Sequence, residues 1–279
     1  SAAVMGLFSG LHTKVAVYML YRLYVQLFDL EQRWNVLIIV IMIISMMIGA
    51  FGGLAENSIR RVLGYQMLNG MPFILVMLAF TSDDPRRALA AGIMYTIHHM
   101  LTVGSLILAS GAIEETYGTG LLSKLSGLAR RDPIIAWIFA AGAFSVVGFP
   151  PFSGMWGKLM IVFEIARVGG AWAWIAIAAI IIASFAAFLA MLRVWRKVFW
   201  GKGLPEDKVP DELVIRKKLM APSAALILGS LCMFIFSGIV LDVVDAAAEQ
   251  LLDTNAYTET VLGDEPIAVP NIDEIQEGR

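Results

Sequence analysis

Long apolar runs separated by short polar joints dominate the sequence. Eight of them approach the length of about 20 residues that a helix needs to cross roughly 30 Å of hydrocarbon. The joints, such as "FDLEQRW" and "TSDDPRR", reverse the chain within a few residues. The pattern predicts an all-α integral membrane protein, a polytopic bundle over residues 1–247 of about eight transmembrane helices. These spans are expected near 3–28, 34–55, 62–80, 88–113, 134–149, 152–168, 171–195 and 218–243.

Composition places the chain outside the range of soluble domains, with 58% hydrophobic residues, 16% charged residues and a mean hydropathy of +0.75. The net charge of −2 is too small to indicate nucleic acid as a partner. The single cysteine, Cys232, lies in an apolar run and supports neither a disulfide nor a metal cluster. Because the sequence also has no glycine-rich or other cofactor motif, no cofactor and no metal site are predicted.

Two segments outside the spans carry expectations of their own. Leucines at helical spacing in the loop 114–133 predict a short amphipathic helix, formed by Leu121, Leu122, Leu125 and Leu128. Residues 248–279 form a polar, acidic tail. The chain opens within an apolar run and without Met, so we expect it to be a fragment of a longer polypeptide.

Positive residues on the two sides of the membrane predict the orientation, because cytoplasmic flanks are the richer in Lys and Arg. With eight alternating crossings, twelve Lys and Arg residues fall on one side and seven on the other. The richer side contains the loop "RVWRKVFWGK". This loop is therefore expected in the cytoplasm and the C-terminus outside.

Two lysines, Lys14 and Lys158, lie inside apolar spans. A lysine at the centre of a bilayer costs roughly 2.5 to 3.5 kcal/mol, so it faces an internal cavity, pairs with a carboxylate, or reaches the surface from near a helix end. The third alternative stays open for both residues, although Lys14 lies near the middle of its span. A desolvated lysine holds its proton less firmly and can exchange it.

The stretch "VVGFPPFSGMWGK" interrupts the sixth span. Pro150 and Pro151 lack backbone N–H groups, and Gly154 is a third helix breaker before Lys158. Broken backbone at membrane depth persists where protein or a water-filled cavity satisfies the freed carbonyls. We therefore predict a break facing the bundle interior, with Gly154 giving the backbone room to turn. The alternative is a plain loop between two helices.

Histidines provide further ionisable groups in the predicted bundle. His98 and His99 are adjacent in the fourth span and titrate near neutrality. Adjacent helical residues point in different directions, so at most one faces an internal pathway. For each, a structural hydrogen bond is the alternative to a proton relay. His12 lies on a different face from Lys14, which favours a structural role over a place in a polar pathway.

The order of these motifs resembles that of the antiporter-like subunits shared by Mrp-type multisubunit cation/proton antiporters and respiratory complex I. "GLHTKVAVYMLYR" is similar to their lysine-bearing broken helix, and "LAENSIRRVLGYQMLNGMPFIL" to the segment that follows it. "GLARRDP" followed by "GFPPFSGMWGK" resembles their second broken helix, with Lys158 at the position of its lysine. The resemblance covers roughly residues 1 to 200 and is greatest with the large D subunit of the Mrp type.

The resemblance implies a chain of about fourteen helices with two inverted five-helix repeats, of which this sequence is the C-terminal half. The glutamate partner of Lys14 would then lie before residue 1. Two departures stand out. Val103 occupies the place of a central lysine, so His98, His99 or water would serve as the middle relay. Gln66 and Asn69 replace two hydroxyl residues and are possible members of a polar pathway.

Three functions remain open from the sequence. The first is a proton-translocating subunit of a monovalent cation (Na⁺ or K⁺)/proton antiporter, with Lys14, His98 or His99, and Lys158 as a proton relay. The second is a proton-pumping subunit of complex I or a membrane-bound hydrogenase, and the third is a scaffold subunit that conducts nothing. The first implies a non-enzymatic transporter in the plasma membrane of a prokaryote, surrounded by lipid and by other subunits of its complex.

Overall fold

A computed structural model describes residues 2–204, 210 and 213–263 as a bundle of α-helices. A π-helical turn at Phe8–His12 joins the first two helices, and another at Trp195–Phe199 extends α9. The α-helices of the described residues are α1 (Ala2–Leu7), α2 (Thr13–Phe28), α3 (Asn35–Ala55), α4 (Ile59–Leu75), α5 (Pro85–Tyr117), α6 (Leu128–Arg131), α7 (Pro133–Val147), α8 (Gly154–Val168), α9 (Gly170–Val194), α10 (Lys217–Ile235), α11 (Ser237–Leu252) and α12 (Thr254–Leu262).

The boundaries of the central helix, α5, follow from its sequence. The Asp84 side chain accepts a hydrogen bond from the Arg87 N–H at 3.1 Å, and Pro85 occupies the first turn, where no N–H is needed. At the other end Gly118 adopts a left-handed conformation with φ of 69°. The 33 residues between them carry both buried histidines through the middle of the bundle.

The predicted all-α membrane fold is confirmed. Five helical stretches of the described residues are long and apolar enough to cross a membrane; they are Gln32–Ala55, Ile59–Ala79, Pro85–Tyr117, Gly170–Phe199 and Lys217–Ile235. The predicted span 3–28 corresponds to α1, a π-helical turn and α2. The spans 134–149 and 152–168 correspond to the two shorter helices α7 and α8. The depth of each helix in a bilayer stays a prediction.

Helices α7 and α8 run in the same direction, one after the other, beside the single long helix α9. The Gly127 N–H before α7 donates to the Trp200 carbonyl after α9 at 3.1 Å, while Lys158 on α8 contacts Ser184 in the middle of α9. Between these points the Phe149 and Phe188 rings lie 6.1 Å apart. If α7 and α8 were antiparallel, they could not contact α9 in turn at Trp200, Phe188 and Ser184. The expectation of eight alternating crossings is therefore wrong at this place, where one interrupted crossing replaces two.

One interrupted crossing in place of two changes how the Lys and Arg residues are distributed between the two ends of the bundle. With seven alternating crossings, twelve Lys and Arg residues of the described part of the chain lie at one end and five at the other. The structure brings parts of the richer end together, because Arg193 donates to the Asn57 side chain at 2.9 Å and the Leu122 N–H donates to the Asn57 carbonyl at 2.9 Å. The loop "RVWRKVFWGK" remains at the richer end, opposite the end of α10.

Three further expectations differ from the structure. The predicted span 218–243 is divided near Phe236 into α10 and α11, so the boundary at 247 falls inside α11. Part of the predicted tail is helical as α12, and residues 264–279 lie outside the described residues. Between the end of α5 at Tyr117 and the start of α7 at Pro133, only Leu128–Arg131 is helical; Leu121 instead forms an isolated β-bridge with Ser58.

The apolar interior consists of two clusters with a polar layer between them. On α5 the first cluster ends at Tyr95 and the second begins at Val103. On α4 the order is reversed, with the second cluster ending at Leu63 and the first beginning at Phe73. The buried polar side chains between these limits include Gln66, Asn69, His98, His99 and Thr102. Side chains that the sequence places in different spans therefore meet at one level.

Candidate functional site

Lys14 lies directly after the π-helical turn in the first apolar segment. Its ammonium donates to the Ser9 carbonyl at 2.5 Å and to the Thr13 hydroxyl at 3.1 Å. The Thr13 hydroxyl donates to the same Ser9 carbonyl at 3.1 Å. A π-helical turn changes the regular pairing of backbone groups and is frequent at functional sites. The turn thus gives Lys14 polar partners within its own helix.

A cavity of about 290 Å³ borders Lys14 between α2, α5 and α11. Its wall includes the polar side chains of Tyr21, Arg22, Thr96 and Gln250. The lysine itself is 5% exposed. Lys14 therefore lies inside the bundle beside a space whose largely apolar wall contains several polar groups.

Lys158 lies five residues after the break between α7 and α8. Its ammonium donates to the Val147 carbonyl at 2.8 Å and to the Ser184 hydroxyl on α9 at 2.8 Å. It also lies 5.2 Å from the centre of the Phe73 ring. Val147 is the last residue of α7, so its carbonyl has no partner within that helix. The break thus provides the acceptor that binds Lys158.

Two glycines have separate roles at the break. Gly148 has φ of 99°, and the Phe149 N–H donates to the Phe144 carbonyl at 2.9 Å, the pattern that ends many helices. Gly154 begins α8 against the Ser145 carbonyl and the His98 ring, where a Cβ would overlap both. The prediction that Gly154 allows the turn is corrected: Gly148 makes the turn, and Gly154 permits the close approach.

His98 is joined to four buried hydroxyl groups, which we call the hydroxyl network (Thr102, Ser145, Ser153 and Ser230). The His98 Nδ1 atom lies 2.9 Å from Ser153 Oγ and 3.3 Å from Thr102 Oγ1. Ser230 Oγ lies 2.7 Å from Ser153 Oγ and 3.0 Å from Ser145 Oγ, and Ser145 Oγ lies 2.8 Å from Thr102 Oγ1. The network connects α5, α7, the break and α10.

His99 faces α4 instead. Its ring lies against Gly70, which has no room for a Cβ. Both ring nitrogens of His99, both polar atoms of the Gln66 side chain and Asn69 Oδ1 are buried without a hydrogen-bond partner among the described residues. Buried polar groups in native proteins are paired with protein or with ordered water. The surroundings of His99 therefore differ from those of His98, whose polar partners are protein hydroxyls.

The sequence-predicted residues divide into a central group and outliers. Lys158, His98, His99, Gln66 and Asn69 lie in or next to the polar layer, and Pro150, Pro151 and Gly154 form the break beside it. His12 is exposed, with its ring 4.9 Å from the Phe8 ring. Val103 is fully buried in the second apolar cluster.

Sequence reasoning missed the hydroxyl groups. The signal available was a small set of Ser and Thr residues within apolar spans, but such residues also bond to their own helix and are common in membrane bundles. Spacing along the chain does not reveal that Ser145, Ser153 and Ser230 meet.

The arrangement can hold and exchange protons. Lysine and histidine change charge by gaining or losing one proton, and no Asp or Glu among the described residues pairs with Lys14 or Lys158 within 4.0 Å. The described residues also contain no group of three His, Cys, Asp or Glu side chains that could hold a metal ion. The fold and the site thus define a class, that of polytopic helical membrane proteins with buried ionisable groups at helix interruptions.

Comparison with known proteins identifies the family. The family model described as "NADH:quinone oxidoreductase/Mrp antiporter, TM" matches residues 1–187. The chain is 32% identical over 263 residues to the D subunit of the Na⁺/H⁺ antiporter of Bacillus subtilis, covering 94% of this chain and 52% of that protein. The chain belongs to the NADH:quinone oxidoreductase/Mrp antiporter family.

Two other relatives show how far the similarity extends. A chain in the structure of the Mrp complex from Dietzia sp. DQ12-45-1b is similar with a TM-score of 0.87 and 32% identity, covering 94% of this chain and 56% of that chain. The N subunit of the NADH-quinone oxidoreductase of Hydrogenovibrio crunogenus is 30% identical over 211 residues, 75% of this chain and 42% of that protein. The chain spans about half the length of the curated antiporter relative.

Proposed function

We propose that this chain contributes to proton translocation in a multisubunit monovalent cation/proton antiporter, with Na⁺ as the first candidate cation. The observation that carries the proposal is the position of Lys14, which is buried, and of Lys158, which is half-buried, at two separate helix interruptions, with His98 and His99 between them in sequence. A buried lysine in a membrane protein marks an ion or proton pathway by default. The Bacillus subtilis relative and the Dietzia complex support the antiporter assignment.

In this proposal protons move between Lys14, the histidines and Lys158 through groups of the polar layer. Gln66 and Asn69 would bind water beside His99, because their side chains offer donors and acceptors that no described protein group uses. His98 would exchange protons within the group held by the hydroxyl network. The described residues offer no pair of intramembrane carboxylates for an alkali cation, so we place the cation site at a contact with another subunit.

The proposed setting is the plasma membrane of a prokaryote, within a complex of antiporter subunits. The basic end of the bundle would face the cytoplasm, because it has twelve of the seventeen Lys and Arg residues that the structure describes in loops and flanks. The end of α10 would then face outward. In this setting the chain is a transporter component, and it catalyses no chemical conversion of its own.

A proton-pumping subunit of an electron-transfer complex is the second candidate. The similarity to the N subunit of the NADH-quinone oxidoreductase of Hydrogenovibrio crunogenus favours it. Both candidates use the same buried groups and differ in the partner that drives proton movement. Purification of the native complex separates them, since iron–sulfur and flavin subunits would accompany the second.

The test of the proposal uses Lys14 in the full assembled complex. We expect Lys14→Ala to abolish Na⁺-dependent collapse of a pH gradient in everted membrane vesicles. Lys14→Arg keeps the positive charge but does not release protons at any working pH, so we expect it to assemble and yet to fail in transport.

Lys124→Ala is the matched control, because this lysine lies in an exposed loop. Expression and assembly are compared by the amount of complex in the membrane. Substantial transport by Lys14→Arg would show that Lys14 acts as a fixed charge and would contradict the proposed relay.

A further inference from the structure

The contacts of the hydroxyl network form a closed ring that begins and ends at the Nδ1 atom of His98. From His98 Nδ1 the contacts pass to Ser153, Ser230, Ser145 and Thr102, and the last of these returns to the same Nδ1. All four hydroxyl residues are fully buried. A proton passed along this circuit comes back to the nitrogen from which it started. The network therefore cannot carry a proton from His98 to another group.

The same geometry allows the hydroxyls to donate in either order around the circuit. Each hydroxyl has one hydrogen to donate. When Nδ1 carries a hydrogen and donates it to Ser153, its nearer partner, the hydroxyls donate in the order Ser153 to Ser230, Ser230 to Ser145 and Ser145 to Thr102, and the Thr102 hydrogen then points away from Nδ1. Ser230 is the link in this order, because it joins the hydroxyl at the break to the hydroxyl on α7. Without Ser230 the circuit is open.

We propose that the hydroxyl network binds His98 through Nδ1, so that His98 exchanges protons through Nε2 alone, and that Ser230 on α10 is a positioning residue for this exchange. Nδ1 keeps its hydrogen throughout, and Nε2 gains and loses the transferred proton. As the Nε2–H bond forms, an N–H bond of the donating lysine ammonium or an O–H bond of a donating water breaks, and release of the proton reverses the exchange. The network also holds Ser153, which precedes α8 by one residue, against α5. It thereby keeps the break and the His98 ring at a fixed distance.

Other ionisable groups surround His98. Tyr95, on the same helix, has its ring 5.1 Å from the His98 ring in an edge-on contact. His99 is the next residue of α5. Lys158 lies on α8, which begins at Gly154 beside the His98 ring, and Lys14 on α2 lines the same cavity as Thr96 of α5. The contacts from α7 and α10 come from the hydroxyls of Ser145 and Ser230. These charged groups lie outside the circuit. Proton exchange with them thus requires the nitrogen that the circuit leaves free.

The inference rests on the proposed function, and its test compares two serines of α10. Ser223 lies seven residues before Ser230, is also fully buried, and forms a hydroxyl contact of 3.0 Å with Ser105 on α5. Ser223→Ala therefore removes an equivalent interhelical contact that does not involve His98. Ser230→Ala, Ser223→Ala and Ser230→Thr are introduced into the full complex, and antiport is measured in vesicles from pH 6 to 9.

We expect Ser230→Ala to assemble, to lower the maximal antiport rate by about tenfold or more, as loss of two buried hydrogen bonds allows, and to displace the pH profile. The apparent KM for Na⁺ should stay unchanged. Ser223→Ala should keep the wild-type profile, and Ser230→Thr, which keeps a hydroxyl, should restore most of the rate.

Equal pH profiles for Ser230→Ala and Ser223→Ala would overturn the inference. If Ser230→Ala fails to assemble, Ser145→Ala opens the same circuit from α7, and an unchanged profile in that variant would overturn it equally. Either result leaves the proposed function standing, provided that Lys14→Ala and Lys14→Arg are inactive. Active Lys14 variants would instead contradict the proposed function itself.

Discussion

The two lysines inside the bundle, Lys14 and the half-buried Lys158, are bound in different ways. Lys14 has both hydrogen-bond partners, Ser9 and Thr13, within five residues of its own helix. Lys158 binds the end of α7 through Val147, α9 through Ser184, and the Phe73 ring on α4. A π-helical turn precedes the first lysine and leaves the helical path continuous. A complete break precedes the second.

The difference shows how the type of interruption determines what a buried lysine depends on. A π-helical turn supplies an acceptor from the same helix, so Lys14 is independent of how neighbouring helices are placed. A break supplies an acceptor from another helix, so the contacts of Lys158 depend on how α7, α8 and α9 are placed relative to one another. We therefore expect changes at the break to affect both stability and transport, and changes at the turn to affect transport alone.

The glycines of the two interruptions give the largest expected contrast. A Cβ at Gly154 would overlap the Ser145 carbonyl, and backbone cannot move aside as a side chain can. We expect Gly154→Ala to destabilise the protein by about 3 kcal/mol, the upper part of the range for overpacking. Gly10 lies in the π-helical turn, and its Cβ would come no closer than 3.9 Å to the Met100 carbonyl.

Gly10→Ala is thus the matched control for Gly154→Ala. Thermal unfolding of the purified complex in detergent measures both, with the amount of complex in the membrane as a second reading. Similar loss of stability in the two variants would contradict the distinction between turn and break.

Removal of the lysines themselves gives the next contrast. In Lys158→Ala the Val147 carbonyl loses its ammonium partner, and a buried polar group left unpaired costs about 1–3 kcal/mol. In Lys14→Ala the Ser9 carbonyl keeps the Thr13 hydroxyl. We expect a lower melting temperature for Lys158→Ala than for Lys14→Ala, although both lose transport. Equal melting temperatures would show that the Val147 carbonyl finds another partner.

The hydroxyl partners of the lysines give the smallest contrast. Ser184→Ala removes one of two hydrogen-bond acceptors of Lys158, and Thr13→Val removes one of two acceptors of Lys14. Each hydrogen bond contributes about 1 kcal/mol. We expect transport to fall a few-fold in Ser184→Ala, because Lys158 then keeps only the Val147 carbonyl as a hydrogen-bond acceptor, and less in Thr13→Val, where the lysine keeps its nearer acceptor. Initial rates of gradient collapse measure the difference, and a larger fall in Thr13→Val would reverse the comparison.

Sequence patterns are sufficient for features that depend on hydrophobicity and on backbone chemistry. Apolar runs locate the helices, since a surface that faces lipid requires apolar side chains. Two prolines locate the break, because their missing N–H groups exclude a regular helix. The positions of Lys14, Lys158 and the histidines in apolar runs identify candidate site residues, whose role in proton transfer stays a prediction.

Features that depend on direction and on partners are not accessible in the same way. The apolar runs of α7 and α8 have the same hydropathy whether the chain reverses or continues at Pro150, so the sequence predicts two antiparallel crossings where one interrupted crossing exists. The hydroxyl network depends on how α5, α7 and α10 are rotated against each other. No pattern within a single helix contains that information.

The arrangement of α7 and α8 in series has an electrical consequence. Every helix carries roughly half a negative charge at its C-terminal end and half a positive charge at its N-terminal end. An unbroken helix would place both of these poles at the membrane surfaces, whereas here the negative pole of α7 and the positive pole of α8 meet in the polar layer. Lys158 binds the carbonyl at the negative pole, and Ser153, the partner of His98, begins the positive one. The peptide backbone thus provides a fixed field between two titratable groups.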